Sequence, residues 1–86
     1  MSCEMKIKKM LISDNGREFA VGDEISFVIV NENTGYHDRY IGKIEQIGDG
    51  FIVIDKIEIN RARVNGNMVI DLTRIKKNSC EYVAKN

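Results

Sequence analysis

Tyr40-Ile41-Gly42-Lys43-Ile44-Glu45-Gln46-Ile47-Gly48-Asp49-Gly50-Phe51-Ile52-Val53-Ile54-Asp55-Lys56-Ile57-Glu58-Ile59 holds two apolar runs joined by a Gly-Asp-Gly turn. Each run alternates with period two and then slips. Tyr40, Gly42 and Ile44 share one phase, and Ile47 takes the other. Ile52 and Ile54 share a face, and Ile57 and Ile59 move to the opposite one. One extra residue in a strand turns every later side chain over, so a jump in phase marks a β-bulge or a sharp bend. Bends of this kind let a small sheet curl round its own core. The stretch therefore predicts two strongly bent, neighbouring antiparallel strands.

Further segments fit the same reading. Met5 to Ser13 and Arg17 to Ala20 predict a hairpin about Asp14-Asn15-Gly16, where Asn-Gly favours a type I′ turn. Glu24 to Asn31 follows, with Ile25, Phe27 and Ile29 on one face, and then the longest loop, Glu32 to Asp38. The strand opened at Phe51 is expected to continue towards Val64. It turns at a second Asn-Gly, Asn65-Gly66, into Met68 to Ile75, and the tail adds a short strand through Cys80 and Tyr82. Composition agrees: thirteen Ile and seven Val stand against two Leu and three Ala, and Cβ branching suits a pleated surface. At 86 residues the chain is read as one all-β domain. A hairpin at about 5–20 precedes an antiparallel barrel of five to six strands at about 21–83.

The order Val21-Gly22-Asp23-Glu24-Ile25-Ser26-Phe27, a loop, Tyr40-Ile41-Gly42-Lys43-Ile44 and Phe51-Ile52-Val53-Ile54 resembles SH3-like small barrels, including KOW and Sm-like modules. Met68 to Ile75 is similar to the closing strand of such barrels. More faintly, the chain resembles small proteins of unassigned function carried on mobile elements of low-GC Gram-positive bacteria. The resemblance implies the barrel and carries over no binding residue. The Asp and Asn pair with which Sm proteins hold a base has no counterpart at 48–54, and the chain has no Trp for a proline-binding groove.

Thirteen basic residues balance thirteen acidic ones. A domain that lives on phosphate backbone usually carries a positive excess, so neutrality disfavours that class. Cys3 and Cys80 match no metal-ligand spacing. Met1 to Lys6 turns charged at once, so the cytoplasm and free thiols are expected. The longest apolar runs are far too short to span a bilayer. No cofactor, metal or membrane partner is expected, and no nucleophile elbow, phosphate cradle or carboxylate pair points to an enzyme.

Two groups of residues carry the functional expectation. Tyr36, His37, Arg39 and Tyr40 lie in and beside the longest loop, and aromatics flanking an Arg are common at protein interfaces. The bland account packs Tyr40 in the core and sets Tyr36 at its end. His37 beside Asp38 makes no oriented acid–base pair, because neighbours on an extended chain point to opposite sides. The second group is Arg61, Arg63, Arg74, Lys76 and Lys77. Arg61 and Arg63 are expected on one face of one strand, with Arg74 brought near by the Asn65-Gly66 turn, as phosphate contacts. The bland account makes them edge-protecting charges. The primary expectation is a non-catalytic adaptor binding protein through the 32–40 loop or a strand edge. The alternative is a nucleic-acid binder using the Arg61/Arg63/Arg74 face.

Overall fold

The structure, a computed structural model, describes residues 10–83. The fold is built of strands, as the Ile/Val excess predicts, and every strand pair in it is antiparallel. Strands β1 (Met10–Ile12) and β2 (Glu18–Ala20) form the N-terminal hairpin, with buried Leu11 opposite buried Phe19. The part of the expected first strand before Met10 lies outside the described residues. The turn differs from the expected type I′. Ser13 N donates to Arg17 O, Gly16 N donates to Ser13 O, and only Gly16 has a positive φ, at 82°. That is a three-residue loop with glycine in the left-handed position, which leaves Asn15 unstrained.

The larger sheet contains β3 (Glu24–Val30), β4 (His37–Ile47), β5 (Phe51–Ile59), β6 (Ala62–Arg63), β7 (Asn67–Asp71) and β8 (Glu81–Tyr82). Its order is β6-β5-β4-β3-β8, with β7 following β6 along the same edge of β5. Both phase slips are bulges in the β4–β5 ladder. Ile41 faces Glu58 while Gly42 faces Lys56, so Ile57 is the extra residue on β5. Ile44 faces Ile54 while Gln46 faces Val53, so Glu45 is the extra residue on β4. The second bulge returns Ile47 to the core side opposite Ile52, and the first puts Ile59 opposite Tyr40.

Between β5 and β7 the reversal comes earlier than expected. Asn60 and Arg61 both have positive φ, 51° and 69°, and they join Ile59 directly to its partner Ala62. Two left-handed residues at the centre of a two-residue hairpin make a type I′ turn. Asn65-Gly66 is instead an irregular step between β6 and β7: Val64 N donates to Ile57 O, and Lys56 N donates to Gly66 O. After β7 the chain leaves strand geometry for a 3-10 turn at Leu72–Arg74, capped by the Asp71 carboxylate. It then crosses to the far edge of the sheet, where Ile75 bridges Ile29 and Lys76 N donates to Val28 O.

The core is the shared interior of these elements. Phe19, Ile25, Phe27, Ile44, Ile52 and Ile54 are completely buried, and Leu72 and Ile75 pack against them from the crossing segment. Each such side chain removed from water contributes roughly 1.5–3 kcal/mol. The hairpin joins this core through its inner face. The Phe19 ring lies 4.6 Å from that of Tyr82, whose hydroxyl donates to Glu18 O, and Asn78 N donates to the Asp14 carboxylate at 3.0 Å.

Candidate functional site

The loop between β3 and β4 is shorter than predicted, because Val30 pairs with His37 and the connection is residues 31–36. Asn31 organises it. Its Oδ1 accepts from Asn33 N at 3.0 Å and Thr34 N at 3.3 Å, while its carbonyl accepts from Gly35 N at 2.7 Å. Asn31 N donates to Tyr36 O at 2.8 Å, and Gly35 supplies the one left-handed residue, at φ 73°. The Asn31 side chain thus closes an Asx turn, and Gly35 meets the positive φ at no steric cost. At its end stands Tyr36, 71% exposed, the most exposed large hydrophobic side chain among the described residues.

The other three members of the predicted group are distributed by strand alternation. His37 and Arg39 lie on the outer face of β4, and both are exposed. Tyr40 faces the core and stacks on Phe27, with ring centroids 5.7 Å apart and planes within 4°. Arg39 is not a free guanidinium: Nη1 donates at 3.0 Å to the hydroxyl of buried Ser26. Asn60 ties the same place to the β5–β6 turn. Its Oδ1 accepts from Arg39 N, its Nδ2 donates to Asp38, and its backbone N–H donates to Arg39 O. His37 and Asp38, on opposite faces of the strand, make no pair with each other.

The basic residues are not arranged as expected. Arg61 sits in the type I′ turn and Arg63 in β6, where it faces Glu58, so the two do not share a continuous strand. Arg74 ends the 3-10 turn, beside the start of β5, where Leu72 N donates to Gly50 O. Arg61 follows the other end of β5, a strand of nine residues, so they are separated along it by roughly 25 Å of extended chain. Lys76 and Lys77 are exposed on the crossing segment. Asn65-Gly66 does not fold Arg74 back onto Arg63, because β6 and β7 run on in one direction along β5.

Features outside both predicted groups also shape the surface. An open depression of about 400 Å³ lies beside β7, floored by Ile29, Met68 and Ile70 and edged by Asp49, Asp71 and Arg74. The hydrogen bond from the Thr73 hydroxyl is the main reason the Asp71 carboxyl titrates below its usual range; Thr73 N and the Arg74 charge act in the same direction. A second depression, of about 300 Å³, lies between the hairpin and the crossing segment and is lined in part by Leu11, Ile75 and Cys80. Cys80 is a buried free thiol, held above its usual pKa first by burial and then by Asp14. Asn31 and Gly35 could have been read as a loop organiser from sequence. Ser26 and Asn60 could not, because their partners are cross-strand.

Among the described residues no three His, Cys, Asp or Glu side chains gather as metal ligands would, and no helix is long and apolar enough to cross a membrane. No family model, curated protein or solved structure matches the chain.

Proposed function

We propose that this chain is a non-catalytic interaction module of the cytoplasm, an SH3-like small barrel with a preceding hairpin, which binds a partner protein through the loop at 31–36 and the outer face of β4. The observation that carries this reading is Tyr36, a largely exposed aromatic side chain at the end of a loop tied down by Asn31. A pre-ordered aromatic loses little entropy on docking, which is why Tyr is a frequent interface anchor. His37 and Arg39, on the adjoining outer face, supply polar contacts at its rim. The barrel reading is supported by the two bulges, by the pairing of β5 with β4 on one edge and with β6 and β7 on the other, and by the crossing segment that carries the chain from that edge to β3.

Cross-linking capture with the wild-type chain and with Tyr36→Ala, each with and without nuclease, tests the reading. The expected result is a protein cross-link that survives nuclease and falls at least tenfold with Tyr36→Ala, since an anchoring Tyr is worth about 2 kcal/mol or more. Arg39→Ala is the poorer probe, because it also deprives buried Ser26 of its partner. Capture abolished by nuclease and indifferent to Tyr36 would overturn the reading in favour of the basic residues and nucleic acid.

A further inference from the structure

β7 has one side on β5, and the register shows what its other side presents. Lys56 N donates to Gly66 O and Leu72 N donates to Gly50 O, in line with the pairs Ile54–Met68 and Ile52–Ile70. Antiparallel ladders alternate, so Gly66, Met68, Ile70 and Leu72 turn their backbone groups towards β5. The N–H and C=O groups of Asn67, Val69 and Asp71 therefore point away. Among the described residues no strand lies on that side; the Asp71 carbonyl opens the 3-10 turn, and no hydrogen bond takes the N–H and C=O groups of Asn67 and Val69 or the N–H of Asp71. Natural edges are usually blunted by Lys, Pro or a bulge. Here the outward-turned residues are Asn, Val and Asp, and the Val69 side chain is 65% exposed.

We propose that β7 pairs with β7 of a second copy of this chain, antiparallel about a two-fold axis at Val69, so that the sheet continues across both molecules. A two-fold interface must be complementary to itself, and this edge is. Centring on Val69 sets Val69 against Val69 of the second copy and Asn67 against Asp71 of the second copy. Val69 and its copy exchange N–H and C=O in both directions, and in each flanking pair the Asp71 N–H donates to the opposing Asn67 carbonyl, the Asp71 carbonyl being engaged in the 3-10 turn. On the side-chain level the Asn67 amide meets the opposing Asp71 carboxylate. That carboxylate uses only Oδ1 to hold Thr73, which leaves Oδ2 to accept. Val53 stands beside Val69 on β5, so the contact makes one apolar row from Val53 through both Val69 side chains to the opposing Val53.

Two other registers fail. A slip by one residue presents backbone groups already used by β5. Centring on Asp71 brings two carboxylates face to face, whereas the Val69 axis keeps them about 13 Å apart, beyond the screening length near 10 Å at 0.1 M salt.

Sedimentation equilibrium of the full chain from micromolar to millimolar concentration tests this. The mass is expected to rise from 9.8 kDa towards twice that value. Val69→Lys, which sets two ammonium groups together on the axis, is expected to hold it at one chain with an unchanged circular dichroism spectrum. A second variant keeps the test independent of that result. Val69→Cys is expected to form a covalent dimer on mild oxidation, because directly opposed Cα atoms about 5.5 Å apart suit a disulfide. Asn67→Cys, whose copies stand about 13 Å apart, is not expected to cross-link to itself beyond the wild-type background. A single-chain mass throughout, a dimer indifferent to Val69→Lys, or equal cross-linking by the two cysteine variants would each overturn the proposal.

Discussion

Phe27→Ala is expected to remove about 3–5 kcal/mol of folding stability, the usual range for deleting a fully buried aromatic. The ring has no exposed surface, lies on β3 between β4 and β8, and stacks on Tyr40. Truncation therefore loses both its transfer term and its partner, and leaves a cavity beside the β3–β4 ladder, in which Phe27 pairs with Tyr40. A domain of 86 residues has roughly 4–13 kcal/mol to lose, at about 0.05–0.15 kcal/mol per residue. The variant should thus be partly unfolded in water or have a greatly lowered urea midpoint. Val21→Ala, at a site 56% exposed, should stay within about 0.5 kcal/mol of the wild type. A loss below about 1 kcal/mol for Phe27→Ala would mean that β3 does not bury this face.

Gly42→Val should cost upwards of about 2 kcal/mol, as overpacking against a backbone that cannot withdraw. A Cβ at Gly42 would stand 3.0 Å from Asp55 O and Ile54 Cδ1 and 3.1 Å from Ile54 Cβ. Ile54 is completely buried, and Asp55 is paired to β7 on its far side. Relief would require the β4–β5 ladder to open next to its first bulge. Gly42→Ala should show the same sign and a smaller effect, and the same urea titration reads both. Wild-type stability for Gly42→Val would place the glycine on an open face and contradict the register.

The bends at Glu45 and Ile57 were legible because alternation is a local signal and the core tolerates no residue on the wrong face. The turn at Asn60-Arg61 was not. Asn65-Gly66 carries the stronger local hairpin signal, yet Asn60 is held left-handed by Arg39 and Asp38, residues 21 and 22 positions away. Contacts at that separation leave no trace in a short window. The same reason divides the candidate site. Tyr36 could be expected in solvent from its loop alone, but the stacking of Tyr40 on Phe27 and the hold of Ser26 on Arg39 depend on cross-strand register. The basic residues appeared contiguous only because the strand was read straight through Arg61.

Fluorescence anisotropy with labelled single-stranded and duplex oligonucleotides, titrated with salt, tests most directly whether this is a protein-binding module. With no net charge and its basic residues dispersed over a turn, β6 and the 3-10 segment, the chain should bind at background level at physiological salt. Sub-micromolar binding that falls steeply with salt, and is abolished by Arg61→Ala with Arg63→Ala, would contradict the account.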